Sequence, residues 1–313
     1  MNRKLLVTFT VGVFLLGMME LIISGILELM SSDLGISNAL TGQLITVYAV
    51  SFAVFGPILV KATEKLRPKP VILVSLIVFI LGNIIFGLSS TFMMLALGRV
   101  ITALAAAVFI VKIMDMTVLL SEPAIRGRMI ALVYMGFSAA NVFGIPIGTI
   151  IGQQFGWRII FWLVIVIAVI VGVGIIALAP NRRGDDLGDP VPDKILDKRN
   201  IVLYIGVTMS VLIGNYIVLG YISPLMTTNG YSIENVSIAL LIAGVGGMLG
   251  TILGGNLVDR IGTRRTLMIM LSLFIISMAA MPLIMMVTRM MVTMMMAEDD
   301  AADGDDDDDD DDG

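Results

Sequence analysis

The chain has 313 residues, 58% of them hydrophobic, and a mean hydropathy of +0.99; soluble domains are about 45–50% apolar, so a soluble globular protein is excluded and a membrane protein expected. Cysteine and histidine are absent, which excludes disulfides, thiolate metal sites and thiol catalysis and leaves proton coupling to carboxylates. The formal charge of −5 comes from residues 298–313, which hold 12 acids and no base; the remainder carries 20 Lys and Arg against 13 acids.

Apolar runs of roughly 20 residues, enough for a helix to cross a hydrocarbon core of about 30 Å, cover about 5–30, 40–60, 71–89, 92–120, 129–152, 158–179, 201–226, 235–257 and 266–288. The runs are continuous and do not alternate, which predicts helices and not a barrel, because backbone groups in lipid must be satisfied within the segment. The first run follows Arg3 and Lys4; it is too long for a signal peptide and eight more follow it, so it reads as a transmembrane helix. Lys and Arg gather at the N-terminus and in alternate loops, 61–69, 126–128, 182–199 and 260–265. The positive-inside rule puts these in the cytoplasm. The expectation is a multi-pass protein of the plasma or inner membrane, surrounded by lipid bilayer, with a cytoplasmic N-terminus.

In span one, GMMELIISGILELM places Glu20 well inside the membrane, between Gly17 and Gly25. Burial disfavours the charged form of a carboxylate, which suits it to load and release a proton; the competing reading is a structural helix–helix hydrogen bond. Glu28 lies nearer the outer end and is expected in solvent. Arg99 stands well inside span four, where a cation costs roughly 2.5–3.5 kcal/mol on insertion scales unless it meets a cavity or a partner. It either faces the interior or snorkels to the outer interface. Lys112 and Asp115 are neighbours on one face of the same span and either neutralise each other or serve transport. The helical repeat carries Asp115 roughly 160° around from Arg99, so the two do not share a wall.

Span five contains GFSAANVFGIPIGTIIG, in which Gly144, Gly148 and Gly152 recur every fourth residue and Pro146 interrupts the helical bonding; Gly246, Gly250 and Gly254 repeat the spacing in span eight. Small residues on one face allow close backbone approach, and proline bends a helix. Gln43 and Tyr48 in span two, Asn141 in span five, and Asn215 and Tyr221 in span seven are polar or aromatic residues available to a central cavity. There, rings stack on a flat solute and amides bond to it; each alone equally suits a helix–helix contact.

The polar stretch PNRRGDDLGDPVPDKILDKRN at 180–200 reads as a cytoplasmic linker between a six-helix bundle, 1–179, and a partial second bundle of three spans, 201–288. At one ungapped offset of 195 residues, Gly25 meets Gly220, Gly35 meets Gly230, Ser37 meets Ser232, Glu64 meets Asp259, Lys65 meets Arg260 and Lys69 meets Arg264. This indicates a duplication whose copies share one orientation. Residues 289–313, Met-rich and then poly-Asp, read as a disordered tail, either an acidic arm or a degenerate end.

Between spans eight and nine, GGNLVDRIGTRRTL fits G-x-x-x-D-R-x-G-x-R-R through Gly255, Asp259, Arg260, Gly262, Arg264 and Arg265. Glycines permit a tight reversal, the aspartate can accept bonds from a neighbouring helix N-terminus, and the arginines hold the phosphate side; simple positive-inside anchoring is the plainer reading. Here the chain resembles the major facilitator superfamily. GMMELIISGIL, DLGIS, TGQLITVYAVSFAVFGPIL and YMGFSAANVFGIPIG resemble its drug:proton antiporter-1 branch, particularly bacterial purine-base or nucleoside efflux pumps and arabinose-type efflux permeases, over most of residues 5–288.

The resemblance implies an all-α membrane protein of the major facilitator fold, with two parallel-related helix bundles and about nine of an expected twelve transmembrane helices, spans ten to twelve missing. It makes Gly255 to Arg265 a conformational latch, with Asp259 and Arg260 bearing on the cytoplasmic end of span five near Arg128. The first copy, VKATEKLRPKP at 60–70, is degraded: Val60, Glu64 and Arg67 stand where glycine, aspartate and glycine are expected. Arg99 matches a family arginine of span four, although Thr102 and Ala103 replace the glutamine-glycine pair that should follow. Gly144, Pro146, Gly148 and Gly152 match an interbundle motif at which spans five and eight meet.

The function implied is proton-coupled efflux of a small organic solute such as a purine base or nucleoside, sugar or drug by rocker-switch alternating access. Glu20 and Asp115 would couple the protons; the alternative is a truncated, non-transporting scaffold or receptor-like remnant. No cofactor beyond the proton gradient, no metal and no nucleic-acid partner is expected, and the chain is read as a monomer. Nothing in it has the pattern of an enzyme site: metal-ligand cluster, nucleophile–base pair, phosphate-binding loop and cofactor fingerprint are all lacking.

Overall fold

The computed structural model describes residues 2–181, 202–214, 226 and 233–280. Helix α1 (Arg3–Leu34) starts at Asn2, whose side chain accepts the Lys4 N–H, and ends at Gly35, whose φ of 65° is the left-handed conformation that glycine takes without strain. Helix α2 (Asn38–Ala62) is capped by the Ser37 hydroxyl, and α4 (Phe92–Leu119) by that of Thr91. Between them, α3 (Pro68–Leu88) opens on a proline, whose missing N–H would be unpaired at that position anyway.

Span five is α5 (Arg126–Ala139), a π-helical turn (Ala140–Gly144) and α6 (Ile145–Phe155). Pro146 cannot donate to the turn before it and its ring crowds that turn. The wider turn absorbs both effects, the Ile145 N–H reaching back to the Ala140 carbonyl. Helix α7 (Arg158–Leu178) follows, then α8 (Val202–Gly214), α9 (Ile233–Ile261) and α10 (Thr263–Ala280).

Among the described residues, eight helical segments are long and apolar enough to cross a membrane, Pro123–Phe155 counting as one. Span seven of the nine expected is described only over Val202–Gly214. The rest of that span, most of the linker, and the Met-rich and poly-Asp end lie outside the described residues, and so do Asn215 and Tyr221. The outward rows Val74, Ile77 and Leu81 of α3 and Val166, Ile170 and Val173 of α7 are exposed. Such faces suit hydrocarbon.

By packing, the chain divides into two compact units, Met1–Ile195 with Leu241–Ile261, and Leu196–Leu240 with Gly262–Gly313. In the first, α3 lies against α4 and α7, α2 against α4, and α1 against α2, α5, α6 and α7. Its core joins Phe9, Met19, Ile22 and Ile26 of α1 to Phe79 and Phe86 of α3, Phe109 of α4 and Phe161 of α7. Glycine brings α1 and α5 backbone to backbone, since a Cβ at Gly136 would strike the Thr10 carbonyl. In the second unit, Gly214 of α8 faces the ring of Phe274 in α10.

Two expectations about glycine are corrected. The stripe Gly144, Gly148 and Gly152, expected between the bundles, faces α1. A Cβ at these positions would meet Met18, Ile22 and Ile26 respectively, and at Gly152 also Ile160 of α7. Those α1 side chains recur every fourth residue themselves and so fill the holes the glycines leave; Pro146, in the same stretch, is exposed. Spans five and eight do meet, but in another register. A Cβ at Gly246, Gly250 or Gly254 would enter open space, whereas Gly244 lies against Val142, Thr251 is 3.5 Å from Ser138, and Gly255 lies against Ala131.

Candidate functional site

Three helices bring Arg99, Glu20 and Tyr48 together. The Arg99 side chain on α4 is 1% exposed: Nε donates to the Leu44 carbonyl (3.3 Å), Nη1 to that of Met19 and Nη2 to that of Glu20 (2.9 Å). Its guanidinium carbon sits 4.4 Å from the centre of the Tyr48 ring. Arg99 therefore faces the interior and does not snorkel. A planar fork with several donors reaches carbonyls on α1 and α2 at once, and carbonyl dipoles and a ring face answer its charge without a carboxylate hydrogen-bonded to it. Tyr48 in turn stacks on Phe52, ring centres 6.2 Å apart.

Glu20 gives Arg99 its main-chain oxygen. Its half-buried carboxylate makes no hydrogen bond or ion pair among the described residues, and the charge acting on it is that of Arg99. A helix–helix hydrogen bond thus finds no partner there. Glu28 is exposed.

Lys112 Nζ lies 3.4 Å from Asp115 Oδ2, the lysine buried and the aspartate half exposed. Asp115 also lines a cavity of about 560 Å³ between α2, α4 and α5. Gln43 and Asn141 are exposed and Tyr48 is buried, and none of the three is among the lining residues. What the sequence reading missed are the rings that do line it, Phe52 and Tyr134. Phe52 carried a usable signal, standing one turn after Tyr48 on the same helix face.

A second constellation sits where α9 meets the start of α5. Asp259 Oδ1 accepts the Gly127 N–H at 2.8 Å and Oδ2 the Arg128 N–H at 2.7 Å. The first turn of a helix leaves its N–H groups unpaired at the positive end of the dipole, and a carboxylate satisfies both needs. Arg128 takes part through its backbone; its side chain is exposed, as are Arg260, Arg264 and Arg265. Gly127 was missed, though a glycine between two arginines at a helix start marks a close approach. A Cβ there would meet Asp259 Oδ1 at 2.7 Å and the Gly255 carbonyl at 3.0 Å, and one at Gly255 would meet Ala131 and the Gly127 carbonyl. Gly262, with φ 83°, makes the turn that follows.

The first copy of the loop works differently. Lys69 Nζ donates to the carbonyls of Ile176 (2.8 Å) and Ala179 (2.6 Å), closing the C-terminal end of α7 with a cation. At the other end of the helices, Asp33 Oδ2 accepts Arg158 Nη1 and Trp157 Nε1 (3.1 Å), while Arg158 Nη2 reaches the Ser89 carbonyl (3.1 Å). The ends of α1 and α3 are thereby tied to the start of α7.

Long apolar helices, an arginine buried among helix carbonyls and a carboxylate capping a neighbouring helix define a multi-pass membrane protein with the architecture of a transporter. The family model of the Major Facilitator Superfamily matches residues 9–297, and the chain belongs to that superfamily, whose members are transporters and not enzymes. It is 30% identical over 276 residues to the uncharacterized MFS-type transporter YbcL of Bacillus subtilis, covering 87% of this chain and 70% of that protein. The putative transporter AraJ of Escherichia coli is 28% identical over 262 residues, with 82% and 66% covered. The chain spans about two thirds of the length of the curated relatives it matches. Among solved structures, the proton:xylose symporter XylE superposes with a TM-score of 0.65 at 15% identity, over 82% of this chain and 69% of that one. The human organic anion transporter MFSD10 gives 0.62 at 13%, over 81% and 72%. These likenesses establish the fold.

Proposed function

We propose that the chain is a proton-coupled secondary transporter that exports a small organic solute, such as a purine base or nucleoside, sugar or drug, by alternating access. Two bundles, 1–179 and 201–288, joined by the 180–200 linker, rock about a site near the midplane. The membrane is the plasma or inner membrane and the N-terminus is cytoplasmic.

The observation that carries this reading is the Glu20 carboxylate, inside the membrane, uncommitted, and next to the buried Arg99 that grips its main chain. Taking up a proton removes its attraction to Arg99, and Arg99 on α4 is hydrogen-bonded to carbonyls of both α1 and α2. A protonation event at Glu20 is thus felt at the junction of three helices. Asp115 already has a cation against it, so the proton is assigned to Glu20 ahead of Asp115. Asp259, on Gly127 and Arg128, is the latch of one conformation and must release them for that end to open.

The test is flux in proteoliposomes, with purines, pentoses and cationic drugs measured in parallel, with and without a pH gradient. Glu20→Gln should abolish gradient-driven flux and leave solute exchange or binding in part. Unchanged gradient dependence in the variant would overturn the role of Glu20. Absence of gradient-dependent flux for every solute would overturn the transport reading.

A further inference from the structure

We propose that the cavity between α2, α4 and α5 binds an uncharged, flat, largely apolar solute that donates an N–H to Asp115. This deepens the transport reading by naming the solute class, and rests on that reading for what the binding serves.

The volume, about 560 Å³, falls within the range of roughly 300–1,000 Å³ that small-molecule pockets occupy. At one side α2 and α4 touch through small residues, a Cβ at Gly56 meeting that of Ala107 at 3.0 Å. Around this crossing stand Phe52, Met114 and Tyr134. The two rings are steadied from outside the cavity, Phe52 by stacking on Tyr48 and Tyr134 by stacking on Phe137 at 5.5 Å. Aromatic faces and a thioether in an apolar wall favour a flat, polarizable body.

Charge narrows the class. Asp115 is the one lining side chain of a type charged at neutral pH, and Lys112 stands behind it with its side chain 4% exposed. Together they make the site neutral. A cationic solute gains Asp115 but meets the desolvated charge of Lys112, and an anionic one meets Asp115 directly. A neutral solute pays neither penalty. At 3.4 Å, the ion pair is also longer than the about 2.7–2.9 Å of a charge-assisted hydrogen bond. Asp115 accepts no hydrogen bond among the described residues, so a half-exposed carboxylate is left with acceptor capacity facing an apolar cavity. A solute N–H is the group that fits it.

The test is direct binding to the purified chain in detergent, read by the fluorescence anisotropy of carbazole, with empty micelles as blank. Carbazole is flat, neutral and carries one N–H. It should bind at least about tenfold more tightly than N-methylcarbazole, which lacks the donor, and no less tightly than aminoacridine, a flat cation with N–H donors. Phe52→Leu should weaken carbazole severalfold. Removing Asp115 alone strands Lys112, so the carboxylate is tested in pairs. Lys112→Met with Asp115→Asn keeps a neutral acceptor and should keep binding; Lys112→Met with Asp115→Leu should lose it.

Equal binding of N-methylcarbazole would overturn the proposal in favour of an apolar slot of the kind a lipid chain fills. Tighter binding of aminoacridine would overturn it in favour of a cation site. Full binding by both the Phe52→Leu and the Met/Leu variants would place the solute elsewhere. Binding with the expected pattern in a chain that shows no gradient-driven flux sinks the transport reading alone; flux without this binding pattern sinks the present proposal alone.

Discussion

Asp259 closes on the backbone of Gly127 across 132 residues of chain, its Oδ1 2.8 Å from the amide nitrogen. Its other oxygen takes the next N–H, so one side chain caps α5 from a different helix. Replacement by alanine leaves both donors unpaired and should cost about 1–2 kcal/mol. Asp259→Asn keeps one acceptor but not the charge and should cost about half as much. Thermal unfolding of the purified chain in detergent checks the order Asp, Asn, Ala.

Gly255 and Gly254 separate the two registers in which α9 can be read. A methyl at Gly255 strikes Ala131 and the Gly127 carbonyl, whereas one at Gly254 enters open space. Gly255→Ala should therefore destabilise by about 1–3 kcal/mol. Gly254→Ala should be neutral or stabilise by up to ~1 kcal/mol, since alanine is the better helix former. The reverse order in the same unfolding assay would mean that the seam runs along the expected stripe after all.

Arg99 depends on the shape of its guanidinium as well as on its charge. Lysine has one nitrogen and cannot reach the carbonyls of Met19, Glu20 and Leu44 together, so Arg99→Lys should cost about 2 kcal/mol although the charge is kept. Tyr48→Phe preserves the ring face under the guanidinium and should stay within about 0.5 kcal/mol, while Tyr48→Leu should lose about 1–2 kcal/mol. Equal effects of Phe and Leu at this position would discount the cation–π contact.

Lys69 closes the end of α7, so its loss should be felt there and not at α5. Lys69→Met should cost about 0.5–1 kcal/mol and speed amide hydrogen exchange in the last turn of α7. Exchange in the first turn of α5, which Asp259 holds, should not change.

The resemblance of GGNLVDRIGTRRTL to a family loop led to the start of span five as the partner of Asp259, and the structure has Asp259 there. The partner's chemistry was not readable. Arg128 looked like a charge for the loop to engage, yet Asp259 takes its N–H, because the unpaired groups of a helix start appear only once the helix exists. Arg99 was recognisable as a buried cation needing partners, but carbonyls leave no mark in a sequence, so the three it found could not be named. For the glycine stripe of span five, spacing alone was ambiguous. A four-residue repeat says that one face is smooth and not which neighbour lies against it.

What the sequence determined by itself was the solvent: unbroken apolar runs of membrane-spanning length require lipid and helices whatever their arrangement, because the cost of unpaired backbone in hydrocarbon is local. What the tertiary structure decided was pairing. Which helix fills the Gly144–Gly152 face, which helix end Asp259 and Lys69 each close, and that Phe52, Asp115 and Tyr134 border one cavity all depend on contacts between residues far apart in the chain, and side-chain volume and charge choose among those only when the helices are in place.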